Sequence, residues 1–235
     1  YTESDSTGDI HKFTVGLARA CERLGVALRT GCEVDSVHSD GERARVTLKG
    51  GDVVEGDALV VCAGVHSRRL AAQLGDRLNV YPVKGYSITV QLNDEQSQQA
   101  APQVSLLDDA TKLVTSRLGA DRFRVAGTAE FNGFNLDIRS DRIRPLVEWV
   151  NQCFPGVSTR QVVPWAGLRP MMPDMMPRVG AGRRANVFYN TGHGHLGWTL
   201  SAVTAHLLSG HVDAWSDARG GASVALPAGL AQQAA

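Results

Sequence analysis

The spacing of apolar residues changes character along this chain, and each change marks a new kind of element. Ile10, Phe13, Leu17, Ala20, Cys21 and Leu24 recur at helical spacing behind Thr7-Gly8-Asp9, which can cap a helix, and Gly25 closes the run. Strand-like segments follow at 26–29 and 32–37, the second turned by Asp40-Gly41. Residues 45–48 and 52–55 then read as a hairpin over Gly50-Gly51. Residues 58–64 are apolar throughout and end in Ala63-Gly64, which predicts a central strand buried on both faces. A helix follows over 67–74. Beyond it the pattern predicts strands at 80–90, 104–107, 113–117 and 123–127, joined by turns into an antiparallel sheet. Residues 140–153 place Ile143, Leu146, Val147 and Val150 on one helical face, stopped by Phe154-Pro155-Gly156, and 161–168 returns as a strand.

The last periodic pair carries candidate chemistry. A short apolar strand, 186–189, leads into a turn, and the apolar run 200–208 leads out as a helix. Between them Gly192, Gly194 and Gly197 form G-x-G-x-x-G. A Gly-rich turn entering a helix leaves backbone N–H groups at the positive end of the helix dipole, a site for an anion or nucleotide cofactor. A dinucleotide fingerprint would need a second strand and an acidic ribose ligand about 20 residues on. Asp213 and Asp217 lie near that distance, but in a polar tail. The turn is therefore expected to face a cofactor without being the first turn of a Rossmann unit; a Gly-rich turn with no ligand is the alternative. Gly180-Ala181-Gly182-Arg183-Arg184-Ala185 also fits G-x-G-x-x-A, but a strand follows where a phosphate loop needs a helix.

Composition narrows the class. A length of 235 residues suits one large or two small domains, and 43% apolar with 20% charged residues supports a sizeable core. The formal net charge is zero and the basic residues are scattered, so nucleic acid is not an expected partner. No apolar run reaches about 18 residues. Cys21, Cys32, Cys62 and Cys153 lack C-x-x-C spacing and read as buried free thiols in a reducing compartment. His193 and His195 form H-x-H, but no Cys, Asp or third His lies nearby in sequence, so no metal site is expected. No G-x-S-x-G hydrolase elbow is present. The chain opens at Tyr1 in a polar stretch unlike a signal or transit peptide, and it reads as part of something longer.

Several segments carry a family resemblance. They are Ser6-Thr7-Gly8-Asp9, Val61-Cys62-Ala63-Gly64, Tyr81-Pro82-Val83-Lys84-Gly85-Tyr86-Ser87, Trp165-Ala166-Gly167-Leu168-Arg169-Pro170-Met171 and Asn190-Thr191-Gly192-His193-Gly194-His195-Leu196-Gly197-Trp198-Thr199. In this order they resemble the small subunits of bacterial D-amino-acid dehydrogenases, within the D-amino-acid oxidase and glycine oxidase group of FAD-dependent oxidoreductases. The resemblance implies an α+β fold: part of a Rossmann-like FAD-binding domain with an antiparallel substrate domain flanked by helices. It implies domains at 1–78 (later part of the FAD-binding domain), 79–164 (substrate sheet), 165–215 (return to the FAD-binding domain) and a flexible tail, 216–235. The family's N-terminal strand, Gly-rich turn and acidic ribose ligand have no counterpart in the chain, which implies a completing N-terminal segment.

The resemblance also implies roles. Arg169 is the clamp for a substrate carboxylate, a task suited to a bidentate guanidinium; the bare-sequence alternative is a structural Arg paired with Asp174 or Glu130. Gly194, His195, Leu196, Gly197, Trp198 and Thr199 face the flavin, with the backbone at His195 also facing substrate. Val34, Ala63 and Gly64 touch the cofactor through the main chain, and Lys84 lies beside it. The implied reaction passes hydride from the Cα of a D-amino acid to flavin N5; the imino acid then hydrolyses to a keto acid and ammonia. Electrons continue to a quinone-type acceptor, placing the protein in the cytoplasm with peripheral contact at the inner face of the membrane. Thr111 stands where the dehydrogenases usually carry Tyr, and Met175-Met176 replaces a Gly-containing turn, so a neighbouring substrate class stays open. The alternatives are an oxygen-using amine oxidase of glycine or sarcosine type, and a catalytically incomplete fragment that only folds or binds a completing partner.

Overall fold

A computed structural model describes residues 2, 4 and 6–220 of the chain; the expected tail beyond residue 220 lies outside the described residues. In chain order the elements are α1 (Ile10–Arg23), β1 (Val34–Ser39), β2 (Ala44–Leu48), β3 (Val53–Gly56), β4 (Leu59–Val61), a 3-10 turn (Gly64–His66) and α2 (Ser67–Gln73). Then come β5 (Tyr81–Gln91), α3 (Glu95–Ala100), β6 (Leu107–Asp108), β7 (Leu113–Arg117), β8 (Arg122–Phe131) and α4 (Ser140–Cys153). The last four are β9 (Val162–Met171), β10 (Arg178–Ala181), β11 (Val187–Thr191) and α5 (Gly197–Ala218). The chain divides into two compact units, Tyr1–Thr30 with Tyr81–Met171, and Gly31–Val80 with Met172–Ala235. The class is α+β, as expected.

The first unit is built on a five-stranded sheet in the order β6-β7-β8-β5-β9, antiparallel throughout. Strand alternation sends Tyr86, Ile88 and Val90 of β5 and Phe123 and Val125 of β8 to one face, where they form a core with Leu146 and Val150 of α4. The opposite face therefore takes Gly85, Ser87 and Thr89 of β5 with their register partners Gly167, Trp165 and Arg124. That polar face positions the chemistry described below.

α1 forms as its periodicity predicts. The Asp9 side chain accepts hydrogen bonds from the His11 and Lys12 amides and from Arg122 Nη2, while Thr7 bonds Ser105. These ties hold the N-terminal helix in the sheet unit, whereas the sequence division grouped residues 1–78 together. At its other end Gly25, with φ 87°, lets the Val26 amide reach the Cys21 carbonyl and its own amide reach Glu22, the Schellman closure. Residues 26–29 were expected to be a strand. They are not: the Val26 amide is spent on that closure, and Val26 and Leu28 stay exposed. The thiols also depart from expectation, since Cys32, Cys62 and Cys153 are exposed and only Cys21 is half-buried; short apolar contexts overstated their burial.

The second unit combines the meander β1-β2-β3 with the sheet β10-β11-β4, in which β11 runs parallel to β4. Leu70, Ala71 and Leu74 of α2 pack with Val37, Val61, Val187 and Tyr189. The Asn186 side chain joins the pieces, accepting from Ser39 Oγ and donating to the Asp57 carbonyl. Asp76 accepts both the Tyr189 hydroxyl and the Arg183 amide; burial, with Asp76 second, pushes the Tyr189 phenol well above its ordinary value. Two expected boundaries shift. β9 stays paired with β5 as far as Tyr81 opposite Met171, so the chain leaves the five-stranded sheet after residue 171 and not at 164. α5 runs on through residues 216–218, expected to be tail, with Trp215 edge-on to Phe188 at 6.0 Å between centroids.

Candidate active site

Arg169 lies on β9 opposite Val83, with Gly167 opposite Gly85. Its guanidinium spreads over Gly85, so closely that a Cβ there would fall on it; the indole of Trp165 covers Gly167 in the same way. A glycine inside a strand marks such a close approach. Nη1 of Arg169 donates to the Thr128 carbonyl at 3.0 Å. Thr128 sits where β8 shifts register against Lys84 and Tyr86 and has φ 65°, the left-handed region that β-branched residues rarely enter. Its hydroxyl accepts the Tyr86 amide at 3.2 Å. The bulge thus turns one carbonyl toward Arg169. Burial pushes the Arg169 guanidinium below its ordinary value, yet among the described residues it pairs with no carboxylate, neither Asp174 nor Glu130.

Lys84, expected beside the cofactor, lies on β5. Its side chain is fully buried, and Nζ donates to Asn135 Oδ1 at 2.9 Å and the Asp137 carbonyl at 2.6 Å. Glu130 Oε1 is 4.0 Å away, and the Tyr86 hydroxyl donates to Glu130 Oε2 at 3.0 Å. Burial alone would raise the Glu130 carboxyl; the Tyr86 and Asn132 hydrogen bonds and the Lys84 charge together hold it below its usual range. This network pins the loop that follows β8.

In the second unit, β4 and β11 end side by side, with Val61 opposite Tyr189. Each is followed by a glycine turn into a helix. Thr191 ties the two turns, its hydroxyl 2.8 Å from Ser67 Oγ and 3.3 Å from the Gly64 carbonyl. Ala63 and Gly64 are thereby brought beside the segment Gly192–Thr199, at the carboxyl ends of two parallel strands, where open α/β sheets bind ligands. Gly192 and Gly194 have φ 80° and 57°. α5 begins with no side-chain cap, and Asn190 Oδ1 is buried without a hydrogen-bond partner. An orphaned acceptor beside an uncapped helix start fits a bound cofactor with N–H groups and negative charge. His195 is exposed. His193 Nε2 is 3.1 Å from Thr204 Oγ1 on α5, and burial lowers its pKa. The Val34 carbonyl accepts from Arg69 Nη2 at 2.8 Å. Among the described residues no group of three or more His, Cys, Asp or Glu side chains could hold a metal.

Sequence reasoning missed Gly85, Thr128, Arg124 and Asn190. Gly85 was legible in principle, as a glycine inside an apolar strand. The Thr128 bulge was not, because a β-branched residue signals extended backbone.

The first unit thus presents a partly buried guanidinium on a sheet face, and the second a glycine turn at the ends of parallel strands. Residues 1–210 match the family described as DAO, FAD dependent oxidoreductase, and the chain belongs to that family. It is 59% identical over 211 residues to D-amino acid dehydrogenase 3 of Mesorhizobium japonicum, covering 89% of this chain and 51% of that protein. It is 42% identical over 207 residues to the D-amino acid dehydrogenase of Xanthobacter autotrophicus, covering 87% of this chain and 48% of that one. The chain therefore spans about half the length of the curated relatives it matches. Among solved structures it is similar to glycine oxidase from Geobacillus kaustophilus (TM-score 0.74, 24% identity, 91% of this chain and 55% of that one). It is also similar to L-proline dehydrogenase from P. horikoshii (TM-score 0.76, 14% identity, 92% and 62%). These likenesses show the fold.

Proposed function

We propose that this chain supplies the substrate sheet and the flavin-facing turn of a D-amino-acid dehydrogenase. The observation that carries the reading is Arg169: a partly buried guanidinium seated on Gly85, oriented by the Thr128 carbonyl and, among the described residues, without a carboxylate of its own. Such a group binds a substrate carboxylate bidentately and fixes the direction of its Cα–H. Ala63, Gly64, Asn190 and Gly194 to Thr199 would hold FAD, with Val34 at the nucleotide end. FAD, when bound, accepts the hydride from Cα. The α5 N-terminus favours negative charge beside it, and the imino acid released hydrolyses to a keto acid and ammonia. The names of the relatives support a dehydrogenase, and the reading passes the electrons to a quinone-type acceptor at the inner face of the cytoplasmic membrane. No described helix is long and apolar enough to cross a membrane.

The test is turnover of D-amino acids by the flavin-loaded protein with an artificial electron acceptor. Arg169→Ala is expected to lower kcat/KM by about a hundredfold or more, the scale of lost charge-assisted bonds, while leaving the visible flavin band intact. Turnover surviving the substitution would remove Arg169 as the clamp. Stoichiometric peroxide without added acceptor would favour the oxidase reading.

A further inference from the structure

The sheet face that bears Arg169 bears a second cation that no described residue neutralises. Arg124 of β8 is the register partner of Thr89, so it stands on the face shared by Ser87, Gly85, Trp165 and Arg169. It is partly buried, and among the described residues no hydrogen bond or ion pair engages it. The charge it does meet is Arg169: burial first, and Arg169 second, push its guanidinium below the ordinary value. The residues paired around it, Thr89 and Ser116, are neutral. Keeping two like charges together, partly desolvated and without a counter-ion, is unfavourable unless an anion joins them.

The register says how such an anion must be shaped. Arg169 is rooted opposite Val83 and Arg124 opposite Thr89, six positions apart along β5, or about 20 Å of strand. Arg169 leans back along the face to lie over Gly85, and the Trp165 ring lies over Gly167 beside it. One carboxylate held by Arg169 leaves Arg124 unsatisfied; a ligand with two carboxylates, joined by methylenes that pass the indole, can meet both. We propose that this face is a two-carboxylate site, in which Arg169 takes the α-carboxylate and Arg124 the side-chain carboxylate of an acidic D-amino acid of the aspartate or glutamate class. The assignment rests on Arg169 being the α-carboxylate clamp.

The test uses two unreactive probes, glutarate and butyrate, titrated calorimetrically into the purified protein. Glutarate is expected to bind about tenfold more tightly than butyrate, as one further charge-assisted pair allows. In R124Q the ratio should fall to about one, and in R124K most of the preference should return. A ratio near one in the unaltered protein, or a ratio that R124Q leaves in place, overturns the proposal. R169Q separates the two readings. If it weakens both probes while R124Q changes nothing, the clamp stands and the second site falls. If R169Q changes neither, the clamp reading fails and takes this assignment with it.

Discussion

Arg169 works through a residue with no side chain. Its guanidinium occupies the space that any Cβ at position 85 would fill, so Gly85→Ala must evict it from the Thr128 carbonyl. We expect Gly85→Ala to cost little stability, because the group it displaces is the far end of a flexible side chain, and to reduce kcat/KM for D-amino acids at least tenfold with most of the loss in KM. Chemical denaturation and steady-state kinetics check the two parts. A variant with unchanged KM would mean that Arg169 does not need its seat. His193 offers a second prediction at this scale. Burial depresses its pKa in the folded chain, so the folded state favours the neutral ring. The stability tied to that ring is complete above the ordinary histidine value, about 6.5, and is lost as pH falls through the depressed folded value. Thermal melts from pH 8 to pH 5 should show this loss, and His193→Gln should shrink it; a pH profile identical in the variant would detach His193 from the effect.

At the scale of elements, the N-terminal helix shows what pattern alone can do. Its cap at Asp9, its period and its stop at Gly25 were all readable, because each is local chemistry. What lies against it was not, because a period names an apolar face and not its neighbour; Ile10, Phe13 and Leu17 remain about half exposed. The antiparallel sheet was legible from alternation, and the Gly192–Thr199 turn from its glycines. The pairing of that turn with Ala63-Gly64 across the parallel strands β4 and β11 needed tertiary structure, as did the meeting of Arg124 with Arg169, whose positions lie 45 residues apart in sequence. Asp9 gives this scale its prediction. The Lys12 amide, then the Arg122 side chain, lower its pKa. A lowered carboxyl lends stability above its unfolded value and loses it as pH falls through the folded one. Helicity by circular dichroism should therefore drop on acidification below about pH 4 more steeply than in Asp9→Asn. Parallel curves would count against the cap.

For the whole molecule, the connection between α1 and β1 is the exposed crossing from one unit to the other, with residues 24–33 outside any helix or strand. Limited trypsin digestion is expected to cut first after Arg23 or Arg29, ahead of Arg122 and Arg124 inside the sheet; mass spectrometry of the first fragments decides it, and early cleavage within β8 would contradict the sheet as drawn. The other two crossings, after Val80 and after Met171, have a different character. Tyr81 and Met171 are register partners on neighbouring strands, so the segment between them departs and returns through the same doorway. A stretch with adjacent ends can be lifted out and replaced without stretching what it leaves behind. Exchange of this cassette between relatives, by recombination in nature or by grafting in the laboratory, would replace the strands that carry Arg124 and Arg169 while leaving the glycine turn and its helix in the inherited frame.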